Sequence, residues 1–230
     1  PQKINISFKN DRVISETIVV YVPKAKNNEI ALEIGCAPGK WLVFLYERLG
    51  YRVDGFEYLD VAAEKTRENL SLCGIPTNKF NIITADFLNQ TPQEKYDLVT
   101  SFGFIEHFEN YQDIFSKHLA YTKKDGNVVI GFPSFRGVNY YIQLCIDKIS
   151  GSKIIENHNI KMMDNKLMLE MINQSKNDIV FSNYIGGFEP SLFNIQDIKN
   201  SFIKFWFKVV LKFLGFCFSD SNNKFVSSYL

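Results

Sequence analysis

The stretch that decides the fold is "EIALEIGCAPG", residues 29–39, in which a short apolar run ends at two glycines four residues apart. An apolar run of this length that ends at a glycine predicts a buried strand over 29–35. Residues 39–49 then carry apolar side chains at helical spacing, and Gly50 follows as a stop signal. The sequence therefore predicts a strand, a glycine turn and a helix in direct succession.

Strands and helices continue to alternate downstream of this turn. This pattern, with short connections, is typical of an α/β fold whose parallel sheet is covered by helices on both faces. Asp60 is the predicted N-cap of the second helix, and Gly74 its stop. The sequence predicts further strands over 51–57, 80–86, 96–102 and 126–132, and further helices over 60–74 and 111–122.

The rhythm of the chain changes after Pro133. Helical spacing returns in two short segments and in a long aromatic one, and two further segments alternate enough to predict strands. No internal repeat or low-complexity linker divides the chain. In chain order the sequence predicts helices over 138–150 and 164–174, a sixth strand over 177–188, one or two helices over 195–218 and a last strand over 224–230.

Composition limits the class of protein. The chain has 230 residues, of which 46% are hydrophobic, enough for a substantial core in a single domain. A net charge of +1 gives no reason to expect a nucleic-acid partner. The four cysteines form no CxxC pair, which argues against a zinc site or a disulfide framework and favours free thiols in the cytoplasm. No secretory signal follows Pro1.

The glycine turn predicts a nucleotide-like ligand. Its spacing is G-x-x-x-G, whereas a dinucleotide site has G-x-G-x-x-G with a pyrophosphate on the helix N-terminus. Glu33, two residues before Gly35, would repel a pyrophosphate but would suit a ligand that carries an ammonium group. Glu57 ends the second predicted strand, where a carboxylate can accept hydrogen bonds from two ribose hydroxyls.

These residues resemble the class I S-adenosylmethionine-dependent methyltransferases. "LEIGCAPG" is similar to the first motif of that family, and the resemblance extends over residues 29–133. It implies a Rossmann-like, doubly wound sheet of seven strands, the last antiparallel, with a helical cap over the acceptor pocket from 134–175 and 187–222. The other segments that carry it, in the family's order, are "GFEYLDVAAEKTREN", "ITADFLN", "YDLVTSFGFIEHFEN" and "KKDGNVVIGFP".

The resemblance implies S-adenosylmethionine as the cofactor and assigns a set of positions to it. The turn from Gly35 to Gly39 would form the wall around the amino acid part of the cofactor. Glu33 would hold either the loop, through backbone N–H groups, or the cofactor ammonium through a water. The full set is Glu33, Gly35, Cys36, Ala37, Gly39, Trp41, Glu57, Tyr58, Asp86, Phe87, Phe102 and Gly103.

The remaining assignments each have a structural alternative. Glu57 would accept from the ribose, with Tyr58 stacked on the adenine; a solvated strand end is the alternative. Asp86 would face the adenine amine, but it would equally cap a turn. Phe87 would lie beside the adenine ring. Three further positions have looser roles: Phe102 and Gly103 would offer backbone contacts to the methionine part, and Trp41 would belong to the core or the pocket wall.

His107 and His158 are the predicted catalytic residues. A hydroxyl or ammonium acceptor must lose a proton during methyl transfer, and histidine titrates near neutral pH. The alternative for His107 is a side chain packed under its loop, and the alternative for His158 is a surface side chain hydrogen-bonded to the loop. His118 is predicted to lie at the surface. Some RNA methyltransferases of this class hold a metal through a glutamate and, three residues on, a Glu-His pair; Gly103 stands at the first position here, so no metal site is predicted.

The aromatic segment near the end of the chain carries three lysines spaced by four, Lys204, Lys208 and Lys212. They would form one basic stripe on a helix, either as a solvated edge or as the rim of a lid suited to a lipid surface or an anionic substrate. The segment is too short and too charged to predict a membrane span.

The sequence as a whole predicts methyl transfer to an oxygen or nitrogen of a small molecule or sugar. A lipid or quinone acceptor is the alternative within the class, with contact to a membrane surface. A nicotinamide-dependent dehydrogenase and a non-catalytic partner that binds the cofactor are the alternatives outside it. The acceptor itself cannot be read from cofactor motifs, because acceptor specificity lies in variable elements of the fold.

Overall fold

The structure, a computed structural model, describes residues 9–93, 95–219, 222, 226–227 and 229. The chain forms two compact units. Unit 1 comprises Ser15–Ile105 and Asn110–Gly131, and unit 2 comprises Lys9–Ile14, Glu106–Glu109 and the residues from Phe132 onward.

Unit 1 is built on a parallel sheet of five strands in the order β3-β2-β1-β4-β5. β1 lies at the centre; the chain passes first to β2 and β3 on one side, then to β4 and β5 on the other. Ala31, Leu32 and Ile34 of β1 are fully buried, which explains why the sequence of this strand is an apolar run. The strands are β1 (Ile30–Ile34), β2 (Arg52–Glu57), β3 (Phe80–Thr84), β4 (Tyr96–Phe102) and β5 (Thr122–Gly131).

Seven α-helices accompany these strands within the described residues. α2, α3 and α4 pack against strands of the sheet in unit 1. Short 3-10 turns cover Thr77–Lys79, Phe87–Asn89, Ile105–His107 and Pro190–Leu192. The helices are α1 (Lys9–Tyr21), α2 (Lys40–Leu49), α3 (Asp60–Leu72), α4 (Tyr111–Tyr121), α5 (Val138–Ser150), α6 (Asn165–Gln174) and α7 (Ser201–Cys217).

Because all five strands are parallel, their carboxyl ends lie at one edge of the sheet. β1 pairs with β2 and with β4, so that Ile34 lies opposite Phe56 on one side and Ser101 on the other. The chain reverses its direction of winding between β1 and β4. In open α/β sheets, ligands bind outside the carboxyl ends of the strands at this reversal. The glycine turn and Glu57 both lie at this edge.

Several predicted boundaries shift in the structure. The N-cap of α3 is Leu59, and Asp60 is the first helical residue, where a carboxylate still favours the helix dipole. β5 begins at Thr122, directly after α4, whereas the sequence predicted a strand only over 126–132. Tyr96 of β4 pairs with Thr122 and Leu98 with Asn127, so the Asp125–Gly126 pair lies in a bulge of the ladder between these two pairs.

The prediction of seven strands is wrong: over the residues that the structure describes, the sheet has five. No strand forms over 177–188; only Ile185 makes an isolated antiparallel bridge, to Tyr229, and Gly186 and Gly187 follow it with positive φ angles of 90° and 56°. An apolar run becomes a strand only where a partner strand pairs with it. The predicted last strand over 224–230 lies mostly outside the described residues.

Unit 2 contains α5, α6 and α7. Its core joins residues from α5, from α7 and from the segment between α6 and α7, with Val226. Leu211 is the buried residue of α7, and Phe207 and Leu214 pack beside it on the same side of the helix. The spacing of these three residues, four and then three, gives α7 one face that packs on the core of unit 2.

Candidate active site

The glycine turn adopts a conformation that requires glycine at both ends. Gly35 and Gly39 have φ angles of 71° and 94°, in the left-handed region that L-residues with a side chain rarely adopt. The N–H groups of Gly35 and Cys36 both donate to the carbonyl of Phe56, at 2.9 and 3.0 Å. These bonds fix the turn to the end of β2, beside Glu57.

Two neighbours support the turn from outside. The side chain of Asn69, buried in α3, donates to the carbonyl of Pro38 at 3.0 Å. Gly55 in β2 leaves room for Cys36: a Cβ at Gly55 would lie 2.5 Å from the Cys36 sulfur. Burial, with the charges of Glu33 and Glu57, raises the pKa of the Cys36 thiol far above its usual value, so this cysteine stays neutral and unreactive.

Glu33 holds the loop, which is one of the two roles that the sequence left open, and its contact to the cofactor ammonium stays a prediction. Its carboxylate accepts a hydrogen bond from the backbone N–H of Leu42 in the first turn of α2, which is the loop-holding role. The other oxygen, Oε2, is buried and has no hydrogen-bond partner. Burial raises the pKa of Glu33 well above its usual value, although the charge of Lys40 and the Leu42 bond act in the opposite direction. A buried carboxylate oxygen without a partner fits a ligand ammonium group.

Glu57 and Tyr58 lie where a nucleoside would meet the end of β2. Oε1 of Glu57 accepts from the Leu59 N–H at 3.0 Å, which orients the carboxylate and leaves Oε2 for a ligand. The side chain of Tyr58 is 69% exposed, so its ring is open to stacking. The donors and acceptors at this edge therefore fit the ammonium and ribose groups of S-adenosylmethionine.

Asp86 and Phe87 are already engaged within unit 1. The two oxygens of Asp86 accept from the Leu88 N–H at 2.9 Å and from the Asn89 side chain at 2.7 Å, which is the turn-capping alternative. Phe87 is buried in an aromatic cluster with Phe56, Phe104 and Tyr121. Their contacts to adenine stay predictions, and any such contact would add to these roles.

Trp41 belongs to the core, which is one of its two predicted positions; the other is the pocket wall. It is buried and stacks on Phe102, with ring centroids 4.5 Å apart. The N–H of Gly103 donates to the Gly131 carbonyl at 2.8 Å, so only its carbonyl is left for a ligand. Ala37, at the tip of the turn, is exposed.

The predicted catalytic histidines lie together in unit 2. The ring centroids of His107 and His158 are 4.5 Å apart. Nδ1 of His107 lies 3.1 Å from the Asn157 carbonyl, and Nδ1 of His158 lies 2.6 Å from the Ile154 carbonyl. Burial lowers the pKa of His158, and the charge of His107 lowers it further, whereas the Ile154 bond raises it. His158 is therefore more readily neutral, as a base must be before it accepts a proton.

The sequence predicted that His118 lies at the surface, and this prediction is wrong. It is fully buried in unit 1, with Nδ1 2.7 Å from the Ile114 carbonyl and Nε2 3.0 Å from the Ser101 hydroxyl. Burial lowers its pKa to about 4, so it is neutral at physiological pH. The charged neighbour Lys117 suggested that His118 is exposed, but His118 lies on the side of α4 that faces the core.

Sequence reasoning missed two supporting residues and one unusual carboxylate. Asn69 holds the glycine turn, and Arg67 donates to the Ile82 carbonyl and the Thr84 hydroxyl of β3. Glu106, next to His107, is 1% exposed, and neither of its oxygens has a hydrogen-bond partner. Burial raises its pKa to about 8. The "IEHF" run marked the position of Glu106 but not its isolation.

A surface depression of about 510 Å³ lies along α3, lined by residues that include Glu64, Arg67 and Phe80. None of its lining residues belongs to the glycine turn. Its volume alone does not identify a site, because the polar groups that would orient a ligand lie elsewhere.

Comparison with known proteins identifies the family. The profile of the methyltransferase domain matches residues 8–165, more than half of the chain. The chain therefore belongs to the methyltransferase-domain family, and the resemblance to S-adenosylmethionine-dependent methyltransferases is confirmed. S-adenosylmethionine is the cofactor of this family.

Solved structures show the same fold at low identity. The X-ray structure of YjhP from E. coli is 15% identical, with a TM-score of 0.57 over 77% of this chain and 68% of that one. A geranyl diphosphate methyltransferase solved with S-adenosylmethionine is 16% identical, with a TM-score of 0.55 over 70% and 62%. The geranyl diphosphate C-methyltransferase of Streptomyces coelicolor A3(2) gives 16% and 0.55, over 70% and 57%.

The chain spans less than two-thirds of the length of both geranyl diphosphate enzymes. No curated protein sequence matches it. In the part of the chain that the structure describes, no helix combines the length and the apolar character needed to cross a membrane.

Proposed function

We propose that the chain is an S-adenosylmethionine-dependent methyltransferase that methylates an oxygen or nitrogen of a small molecule or sugar. The observation that carries the cofactor assignment is the unpartnered Oε2 of buried Glu33, at the turn beside Glu57. The net charge of +1 supports a small acceptor over a nucleic acid.

When bound, the cofactor supplies a methyl group on a positively charged sulfur. Glu33 would accept from its ammonium group, and Glu57 from its ribose hydroxyls. Hydrogen bonds to the Phe56 carbonyl fix the turn from Gly35 to Gly39 beside Glu57. A turn that is already fixed loses less entropy when the cofactor binds.

The histidines would handle the acceptor proton. A carbonyl oxygen can only accept a hydrogen bond, so the Nδ1 contacts of His107 and His158 place a proton on each Nδ1. Each Nε2 then has a free lone pair that can take a proton from a hydroxyl or ammonium group. This catalytic role stays a prediction for both residues.

The experiment that tests the proposal measures transfer of a radiolabelled methyl group from S-adenosylmethionine to a panel of small hydroxyl and amine acceptors. The control is Glu57→Ala, which removes the ribose acceptor. Transfer by the wild type and not by the control supports the proposal. Cofactor binding without transfer to any acceptor favours a non-catalytic partner, and binding of NAD in its place favours a dehydrogenase.

One observation favours a lipid or quinone acceptor as the second candidate. α7 packs on the core of unit 2 through Leu211, yet a run of large apolar side chains on this helix is exposed. Lys208 and Lys212 are exposed beside them, while Lys204 donates to the Gln196 carbonyl at 2.7 Å. The exposed fractions are Phe202 71%, Phe205 58%, Trp206 51%, Val209 40%, Val210 47%, Phe213 64% and Phe216 83%.

A helix with aromatic side chains on one side and lysines along its margin suits the interface of an anionic membrane. Sedimentation with vesicles that contain phosphatidylglycerol tests this candidate. We expect the wild type to bind these vesicles more than pure phosphatidylcholine vesicles, and Trp206→Ser with Phe213→Ser to lose binding. Equal binding by wild type and variant would reject a role for α7.

A further inference from the structure

Side chains from two segments that are far apart in the sequence converge in unit 2. Glu106 and His107 lie in the 3-10 turn after β4, and His158 lies in the segment after α5. One ligand atom from each residue, a carboxylate oxygen or an imidazole nitrogen, lies within 4.8 Å of the other two. Glu106 is buried, His158 is half-buried and His107 is exposed, so the cluster has a buried floor and an open side.

The hydrogen bonds of the two imidazoles leave one nitrogen of each ring without a backbone partner. Because Nδ1 of each ring donates to a backbone carbonyl, each Nε2 carries an unshared electron pair. Histidines that bind metals have this arrangement, in which the second ring nitrogen donates to a carbonyl or carboxylate and thereby fixes the tautomer and the ring.

Backbone contacts hold the two segments together without the ligand side chains. The N–H of Asn159 donates to the Glu106 carbonyl at 2.7 Å, and the Asn159 side chain donates to the Phe108 carbonyl at 3.1 Å. Phe135 packs edge-on against His158, with ring centroids 5.3 Å apart. The three candidate ligands therefore stand on a scaffold that is already formed.

The carboxylate of Glu106 is the observation that points to a ligand. It is 1% exposed, and neither oxygen has a hydrogen-bond partner. A buried carboxylate with no partner is strongly unfavourable, and folded proteins normally pair it or give it a metal ion. A neutral imidazole whose Nδ1 carries the proton cannot donate from Nε2, and neither histidine makes a hydrogen bond to this carboxylate in the structure.

We propose that Glu106, His107 and His158 bind one divalent transition-metal cation of the Zn²⁺ type. Two imidazoles and one carboxylate suit Zn²⁺ and its first-row neighbours, whereas Mg²⁺ prefers a shell of oxygens. Three protein ligands leave at least one position for water or another oxygen ligand, on the side where His107 is exposed. Gly103, which suggested that a ligand was missing, does not prevent the site, because His158 supplies a third ligand.

The proposal goes beyond methyl transfer and rests on unit 2 alone. An Nε2 atom that binds a cation cannot also accept a proton, so the metal site and the histidine base are exclusive roles. A cation would instead lower the pKa of an oxygen ligand that it binds.

The test is metal binding by the whole chain, without cofactor or acceptor. Cys145→Ser and Cys217→Ser provide the background, because the exposed thiols of both residues would bind Zn²⁺ nonspecifically. Equilibrium dialysis with Zn²⁺ and metal analysis give the stoichiometry, and the visible spectrum of Co²⁺ reports a site of nitrogen and oxygen ligands. We expect one cation per chain, and no competition from millimolar Mg²⁺.

Glu106→Gln and His107→Ala should each weaken Zn²⁺ binding by at least about 100-fold. Glu109→Gln is the matched control: it lies on the same segment, is exposed, lies outside the cluster and should keep full affinity. Thermal unfolding without metal checks that each variant is folded, and His107→Ala is the safer variant because His107 is exposed. No binding by the wild type, or equal affinity in folded variants and control, would overturn the proposal.

Discussion

Replacing Glu33 with glutamine separates its two roles, because the amide keeps one and removes the other. The side-chain carbonyl of the introduced glutamine can still accept from the Leu42 N–H, whereas its NH₂ group takes the place of the unpartnered Oε2. A hydrogen bond to a charged group contributes about 1.5–3 kcal/mol. At about 1.4 kcal/mol per factor of ten, the loss of this bond to the cofactor ammonium predicts about 10- to 150-fold weaker binding of S-adenosylhomocysteine.

The same substitution should not lower the stability of the free protein. Burial raises the pKa of Glu33, so the folded state holds its proton more tightly than the unfolded state does. The contribution of Glu33 to folding is therefore most favourable at acidic pH and is lost as the pH rises from about 4.3 through the raised pKa. Glutamine lacks this dependence, so the melting temperature of Glu33→Gln should equal or exceed that of the wild type at neutral pH.

Isothermal titration with S-adenosylhomocysteine and a melting curve at two pH values measure both effects. Glu47→Gln is the control, because it removes one exposed carboxylate from α2 and should change neither quantity. Unchanged affinity in Glu33→Gln would show that Glu33 only holds the loop. A clear drop in melting temperature would refute the reasoning from burial.

Three further predictions concern the same site, and Gly74→Ala serves as a control in the last of them. Glu57→Ala should weaken S-adenosylhomocysteine binding at least about 10-fold, since ribose hydroxyls lose a charged acceptor, while circular dichroism shows an intact fold; unchanged affinity would reject the ribose assignment. Gly55→Ala would place a Cβ 2.5 Å from the Cys36 sulfur, and overpacking of about 1–3 kcal/mol should lower the melting temperature by about 2–12 °C; an unchanged curve would contradict this. Gly39→Ala and Gly74→Ala both force a side chain into a left-handed conformation, with φ angles of 94° and 82°, at about 1–2 kcal/mol each. Only Gly39→Ala should also weaken cofactor binding, in titrations of both, because a Cβ at Gly74 meets nothing within 4 Å and lies outside the turn.

The first half of the fold could be predicted because its signals are local. The glycine turn needs positive φ angles, and the sequence has glycine at the positions that adopt them. The apolar run of β1 is typical of a strand that is buried on both faces of the sheet. Strand β4 was predicted at its observed bounds, 96–102, for the same reason.

The second half depends on long-range pairing, which periodicity does not report. Residues 177–188 alternate like a strand, but only Ile185 finds a bridge partner, at Tyr229. In the same way, the convergence of His158 with Glu106 is a tertiary contact between segments 52 residues apart in the sequence (158 − 106). The spacing of Gly103 from Glu106 and His107 therefore predicted no metal site, because it does not include His158.

The sequence predicts residues for the site but not the hydrogen bonds that these residues make. The sequence named Glu33 and Glu57, and the structure adds which oxygen of each is engaged. It also shows that Asp86 caps a turn and that Phe87 lies in the core, while their contacts to adenine stay predictions.

The central claim, that the turn from Gly35 to Gly39 holds the cofactor of a methyltransferase, is tested most directly by calorimetric titration with S-adenosylhomocysteine and, separately, with NAD. We predict one molecule of S-adenosylhomocysteine bound per chain, with affinity reduced in Glu33→Gln and Glu57→Ala, and no measurable heat with NAD. Binding of NAD without S-adenosylhomocysteine, or S-adenosylhomocysteine binding that neither substitution weakens, would contradict the claim.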